Sequence, residues 1–364
     1  MPDATEALKS ITPKKRMQYH QSFMSTMSVC QLRAMFRYQL GIRRPPSAYL
    51  HVGSAVDASV TQDLQNKIDT GELLKRQDAV DIAAATFEAK ESSDPFEVEL
   101  SEKKEGISKD AAKAEALDKS VSLAGLHYDK AAPVIQPKYV QRSFAIDMDG
   151  WLRKRAKQLH TDGDKQQSLD AAKILHAEGA AMNSAARIGT DFAGAIDIIE
   201  ETTVPVRDEL RNVHIPQWMR AEGFVDGGFK KEIVIRDTKT SKRSPSEDSA
   251  DDSNQLVSYG LATLVLDKKL PDATVLDYLV RTPKRHDLNY VPRSSTVTMD
   301  DINVFLFRFA RAIHSWHVAT KTGAFMPANT DDWHCSESFC GYWDMCPAAK
   351  RPHTVAVPKL VQIG

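Results

Sequence analysis

Residues 233–240 read IVIRDTKT, an apolar β-type run closed by an acid and a lysine one residue apart. In an extended strand alternate side chains share a face, so Asp237 and Lys239 point together while Thr238 points the other way. Taken alone, the octet fits the solvated end of a strand carrying an ion pair that contributes ~0–1 kcal/mol. It also fits a strand that delivers two charged groups to a site, and the neighbouring text weighs between the two.

The flanking segments predict more of a sheet. KYVQRSFAIDM (138–148), DFAGAIDIIEE (191–201), GFKKEIVIRDTKT (228–240) and TVLDYLVRTP (274–283) all read as strands. QLVSYGLATLVL (255–266) and MDDINVFLFRFARAIHSWHVATKTGAF (299–325) carry helical spacing, as does QSFMSTMSVCQLRAMFRYQL (21–40) near the start. A second early helix, within AYLHVGSAVDASVTQDLQNKI (48–68), is expected to begin near Gly53. From about 61 to 130 the chain is charged and alanine-rich, a helical insert with a polar interruption at ESSDPFEVELSEKKEGISKD (91–110). SKRSPSEDSADDSN (241–254) has almost nothing apolar and reads as a mobile surface loop. Helices flanking mostly consecutive strands predict an α/β fold with a central mixed sheet.

Composition bounds the function. Of the 364 residues, 42% are hydrophobic and 27% charged, ordinary for a globular chain long enough to bury one large core or two. No apolar run approaches the ~18 residues that cross a bilayer, and the first twenty residues lack the apolar stretch of a secretory signal, so a cytoplasmic protein without a membrane partner is expected. Lys plus Arg (48) balance Asp plus Glu (49), so a polyanion would have to be held by local basic clusters such as 13–16, 153–157, 239–243 and 281–286. No G-x-x-x-x-G-K phosphate loop occurs, which makes ATP hydrolysis an unexpected activity.

Asp197 lies inside the apolar GAIDII, where a carboxylate is costly unless it meets a cation. If its strand neighbours 233–240, Asp197, Asp237 and Lys239 converge at one end of the sheet. Two hard oxygen ligands suit Mg2+ or Mn2+, and a nearby ammonium can orient or deprotonate water, which is the equipment of phosphodiester hydrolysis. Gln255 and Tyr259, four apart, share one helical face and can brace Lys239 or touch a nucleic-acid backbone; packing of Tyr259 in a core is the plainer alternative.

In that order, GAIDII, IVIRDTKT and QLVSY resemble the D…(D/E)xK…QxxxY series of the RecB-like branch of the PD-(D/E)xK nuclease superfamily. The resemblance implies a restriction-endonuclease-like core, a catalytic cation on Asp197 and Asp237, a Thr238 carbonyl ligand, Lys239 serving the water, and Gln255 and Tyr259 as positioning groups. YLHVGSAVDASV is similar to that branch's first motif, a helix with Gly-x-x-x-His, except that Asp57 stands at the histidine position and His51 lies six residues earlier. The metal role therefore passes to Asp57, with His51 as a weaker candidate.

Cys30 stands alone, whereas Cys335, Cys340 and Cys346 crowd into C-x4-C-x5-C. A reducing compartment disfavours disulfides, and four thiolates suit either an iron–sulfur cluster or tetrahedral zinc. The segment SVCQLRAMFRY and the C-terminal triplet resemble the iron–sulfur subset of the same branch, including AddB-type nuclease subunits and CRISPR adaptation exonucleases, although the first gap is longer than the commoner two residues. That resemblance implies a 4Fe–4S clasp. It divides the chain into a discontinuous nuclease core at 17–60 and 136–330, the insert at 61–135, and a cluster segment at 331–350 joined by Cys30.

The implied activity is a metal-dependent deoxyribonuclease, an exonuclease on single-stranded or end-exposed DNA. A separate helicase, recombinase or integrase would be its partner. A catalytically weak nucleic-acid-binding or assembly subunit is the competing reading, favoured by Asp57. Arg33, Arg37 and Tyr38 suit either a phosphate backbone or a solvated helix face. Trp333, Tyr342 and Trp343 suit either base stacking or packing around the cysteines. Glu200 and Glu201 read as rim charges.

Overall fold

The computed structural model describes residues 16–98, 103, 105–205, 224–225, 229–283 and 287–349. A seven-stranded mixed sheet runs through it: β1 (Met17–Tyr19), β2 (Pro137–Asp147), β3 (Thr190–Pro205), β4 (Phe224–Val225), β5 (Phe229–Ser241), β6 (Ala273–Arg281) and β7 (Leu288–Ser295). The main path is β1-β3-β5-β6-β7, with β2 pairing β3 and β4 pairing β5. The β1–β3 and β5–β6 pairs are parallel, and the others are antiparallel. The chain is thus α/β with an open sheet between two helical layers.

One layer holds α1 (Gln21–Val29), α6 (Met148–Asp164), α7 (Leu169–Ala186), α8 (Asn254–Asp267) and α9 (Met299–Thr322). Phe23 and Met27 of α1, Leu152 of α6, Leu261 of α8 and Phe309 of α9 bury one core there against Phe192, Ile199 and Ile235 of the sheet. The other layer is α3 (Ala48–Thr70), α4 (Arg76–Ser93) and α5 (Lys109–Lys130), whose Val56, Phe87 and Leu123 form a second core against Ile198 and Leu279. Each core side chain removed from water contributes about 1.5–3 kcal/mol of transfer free energy, so both faces of the sheet are anchored.

Several sequence expectations shift. The helix predicted over 21–40 is broken at Cys30, after which α2 (Gln31–Ala34) and a π-helical turn at Met35–Gln39 follow. Cys30 adopts an extended backbone (φ −162°, ψ 118°), and its sulfur accepts the Arg33 N–H that would otherwise lie unpaired at the start of α2. The helix expected near Gly53 begins at Ala48, capped by the Ser47 hydroxyl, and runs unbroken to Gly71 at φ +83°; a division at residue 60 would fall inside it. Residues 241–254 are held against the sheet rather than loose: Arg293 bonds the Ser246 carbonyl at 3.1 Å, Ser295 bonds Asp251 at 2.5 Å, and Ala250 is buried. The α6–α7 hairpin and strands β1 and β7 went unpredicted. Part of the polar interruption at 91–110 and most of the cluster at 13–16 lie outside the described residues.

Candidate active site

The site grows from a fork in the sheet. β5 pairs β3 as far as Arg236↔Ile198 and then leaves it, continuing beside β6 through Ser241↔Val280. The next residues in register, Asp197 and Asp237, therefore meet where the ladder opens. On the other edge of β3, Gln141 stands opposite Asp197, between the Val140↔Ile198 and Arg142↔Ile196 pairs, with φ at +49°. A non-glycine residue at that angle is uncommon, and it stands where the fork begins. Gln141 Nε2 reaches Asp57 Oδ1 at 3.3 Å.

Alternation along β5 sends Asp237 and Lys239 to the α8 side. Asp237 is 0% exposed, and Lys239 Nζ lies 2.6 Å from its Oδ2. Helix α8, capped by the Ser253 hydroxyl, presents Gln255 and Tyr259 one turn apart to the same place. Gln255 accepts from Lys239 Nζ through Oε1 at 2.8 Å and donates through Nε2 to Asp237 Oδ1 at 2.8 Å and to the Tyr259 hydroxyl at 2.7 Å. The Tyr259 hydroxyl in turn donates to Asp197 Oδ1 at 3.2 Å. A chain of hydrogen bonds thus joins Lys239, Gln255, Asp237, Tyr259 and Asp197, each fixing the next in orientation.

Electrostatics mark this as a carboxylate-rich cluster. Burial pushes the Asp197 carboxyl well above the usual carboxylate range, reinforced by the Asp237 charge, a hydrogen bond with Asp237 and the Asp57 charge, and opposed by Lys239. Asp57 is also pushed up, first by desolvation in the cluster and then by Asp237, again opposed by Lys239. Burial raises the Tyr259 hydroxyl too, with Asp197 and Asp237 adding to it, so that group stays a protonated donor. Three carboxylates face one ammonium here, a surplus of negative charge that a divalent cation or protons would balance.

The structure brings Asp57, Asp197, Asp237, Lys239, Gln255 and Tyr259 together. The Thr238 side chain points to the opposite face, with its Oγ1 buried and without a hydrogen bond, so only its carbonyl remains as the ligand the resemblance implies. His51 is not part of the site. It is buried against Phe87 and Phe96, and its Nε2 bonds the Asp94 carbonyl at 2.8 Å. Glu200 is not a rim charge either: it is 2% exposed and takes the Arg236 guanidinium at 2.6 Å. Glu201 remains half-buried and pairs with Lys138 and Lys231. Gln141 escaped the sequence reading because nothing in its neighbours signals a left-handed backbone in a strand.

In a separate place the cysteines converge. Cys30 Sγ accepts N–H groups from Arg33 at 3.4 Å and Ala328 at 3.3 Å, and Gln31 exchanges hydrogen bonds with Met326. These tie α2 to the segment that carries Cys335, Cys340 and Cys346. Burial raises the Cys335 thiol, and the charges of Cys346, Cys340 and Cys30 raise it further; Cys346 is likewise raised by burial and by Cys30 and Cys340. All four are free thiols. Tyr342 is buried beside them, stacked on Phe36 at 5.3 Å and bonded to the Ile42 carbonyl at 2.9 Å, whereas Trp333 is 60% exposed. Among the described residues no three His, Cys, Asp or Glu side chains are closed to metal-ligand spacing, either here or at the fork.

No helix among the described residues is long and apolar enough to cross a membrane. Fold and site together define an α/β protein with a carboxylate–lysine cluster at a strand fork. No protein-family model matches the chain, and no curated protein matches it.

Proposed function

We propose that this chain is a divalent-metal-dependent deoxyribonuclease with a restriction-endonuclease-like core of the RecB-like PD-(D/E)xK type. The observation that carries the reading is the convergence of Asp197, Asp237 and Lys239 at the fork, locked by Gln255 and Tyr259. Asp197, Asp237, Asp57 and the Thr238 carbonyl are the oxygen ligands for Mg2+ or Mn2+, a donor set of the hardness those ions prefer. When bound, the ion polarises the attacking water and offsets charge that grows on the phosphate.

The protein's own groups do the rest. Lys239, two-thirds sheltered and with its ammonium held between Asp237 Oδ2 and Gln255 Oε1, orients the water and lends positive charge to the phosphate, while the water's proton leaves to solvent. Gln255 bonds both members of the Lys239–Asp237 pair and fixes their orientation, and Tyr259 holds Asp197 in place while remaining protonated. The substrate class is DNA, single-stranded or with exposed ends, and a helicase, recombinase or integrase would act as a separate partner. A 4Fe–4S cluster on Cys30, Cys335, Cys340 and Cys346 clasps the two ends of the fold. The donor set supports it: soft sulfur ligands, one of them accepting two backbone N–H groups that stabilise a thiolate.

The test is hydrolysis of end-labelled single- and double-stranded DNA with Mn2+ or Mg2+, beside Asp237→Ala and Lys239→Ala. Wild-type degradation lost in both variants is the expected result; equal degradation by all three would reject the enzyme reading. Iron and sulfide analysis of anaerobically purified protein tests the clasp separately, and zinc without iron would replace it with a zinc site.

A further inference from the structure

A groove of about 430 Å3 runs between α1 and α9 on the α8 side of the sheet. Met24 and Met27 line it from α1, and Phe305, Phe307, Arg308 and Arg311 from α9. Its position is informative. At one end it reaches Gln31, next to Cys30, where Gln31 Nε2 bonds the Ser315 hydroxyl at 2.5 Å. At the other it reaches Asn254, next to Gln255 of the candidate site.

The lining combines two chemistries. Thioether and aromatic surfaces form its apolar part, with Phe307 38% exposed at the rim. The Arg311 guanidinium sits 5.4 Å over the Phe307 ring and pairs with Glu178. Arg308 donates to Asn254 Oδ1 at 2.7 Å, a neutral amide, and among the described residues forms no ion pair, so its positive charge stays available at the site-facing end. An exposed aromatic ring, Phe307, and an unneutralised guanidinium, Arg308, lining one groove match unstacked bases joined by phosphates. A duplex keeps its bases inside and offers none to stack on the ring.

We infer that this groove is the track along which a single strand of nucleic acid enters the site, one base stacking on Phe307 and a phosphate held by Arg308. The inference rests on the nuclease reading for its direction, since the strand would pass from the cysteine segment toward Gln255. The ligand chemistry common to DNA and RNA is a polynucleotide single strand, and separate arms with dT and U oligonucleotides distinguish the two sugars.

The experiment uses the full chain carrying Lys239→Ala, with and without Phe307→Ala or Arg308→Gln. Fluorescence anisotropy of labelled single strands, with a duplex of the same length as control, reports binding. Each groove variant is expected to weaken single-strand binding by about tenfold, in line with the loss of one stacked base, while circular dichroism stays unchanged. Arg308→Gln should also lower the salt dependence by about one phosphate contact. Single-strand affinity unchanged in both variants, or an equal loss for the duplex, would overturn the proposal. An apolar peptide that binds the wild-type groove in place of single strands would do the same.

In the otherwise wild-type chain the same variants should lower kcat/KM on oligonucleotides and leave bis(p-nitrophenyl) phosphate hydrolysis intact. Equal loss on both substrates would again count against the track. Wild-type protein inert on both substrates defeats the nuclease reading alone, because the binding measurement stands independently.

Discussion

Arg236 and Asp237 are neighbours in one strand, yet they belong to opposite kinds of charge cluster. Behind the sheet, Arg236 reaches Glu200 of β3 at 2.6 Å and Asp277 of β6 at 3.1 Å, and the Tyr290 hydroxyl of β7 bonds Asp277 at 2.6 Å. Glu200 Oε1 also accepts the Gln136 N–H at 3.0 Å. Partners are in place on that face, and the network spans four strands. In front, Asp57, Asp197 and Asp237 face Lys239 as their one cation among the described residues, and burial and mutual repulsion raise the Asp57 and Asp197 carboxyls. A charge network with its partners in place needs nothing further, whereas a buried surplus of one sign marks a candidate binding or catalytic site.

Substitutions on the two faces should therefore fail in different ways. Lys239→Ala, assayed in saturating Mg2+ or Mn2+ so that a cation still faces the buried Asp237, should lower hydrolysis by ~10²–10³-fold, the usual worth of a preorganised charge at a reacting group, with a smaller change in the unfolding midpoint than a back-face variant. A melting temperature that collapsed with activity would erase the distinction. Behind the sheet, Arg236→Met should destabilise by about 3–5 kcal/mol in denaturant unfolding, because Glu200 and Asp277 are left buried without their cation. Replacing all three by apolar residues should recover most of that loss. No recovery would mean that the guanidinium does more than neutralise.

A third contrast is pH. His127, 1% exposed and with its Nε2 unbonded, lies near Arg236, and burial, with the Arg236 charge adding, holds it down at about 3. The unfolded chain binds this proton near pH ~6.5, the folded one only near 3, so stability is full above ~6.5 and falls as pH drops through that window. The slope is at most ~1.4 kcal/mol per pH unit, and His127→Leu should flatten it in acid-unfolding curves.

The front face runs the other way. The raised Asp197 carboxyl makes its ionisation a cost to the folded state that grows as pH rises above ~4. In chelator at neutral pH, Asp197→Asn should melt a few degrees higher than wild type, roughly the effect of ~1 kcal/mol in a chain of this size. Added Mg2+ or Mn2+ should raise the wild type and not the variant. A wild-type chain that melts higher in chelator would show that Asp197 is satisfied without a cation.

How far the site could be read in advance varied by residue. Asp237 and Lys239 were paired by the two-residue period of a strand, and Gln255 with Tyr259 by the near-four-residue period of a helix, because those periods are local geometry. Asp197 stood out because a lone acid in GAIDII has no local reason to be there. Glu200 read as a rim charge, since its meeting with Arg236 depends on the antiparallel β3–β5 register. The break at Cys30 was hidden within a continuous helical pattern, because it follows from contacts with Ala328 and Met326, about three hundred residues away.

Local periodicity and residue chemistry thus established, from the chain alone, strands β2, β3, β5 and β6 and the helices of 48–70, 254–267 and 299–322, the shared face of Asp237 and Lys239, and which thiols and carboxylates are candidates for a site. Tertiary structure decided which donors meet: that β5 departs from β3 one residue before Asp237, that α3 brings Asp57 to the fork while burying His51, and that the back of the same strand closes on itself. The reason is physical. Side-chain direction is set by a residue's own φ and ψ and those of its neighbours, but encounter between distant segments is set by sheet register and helix packing, which no short stretch encodes.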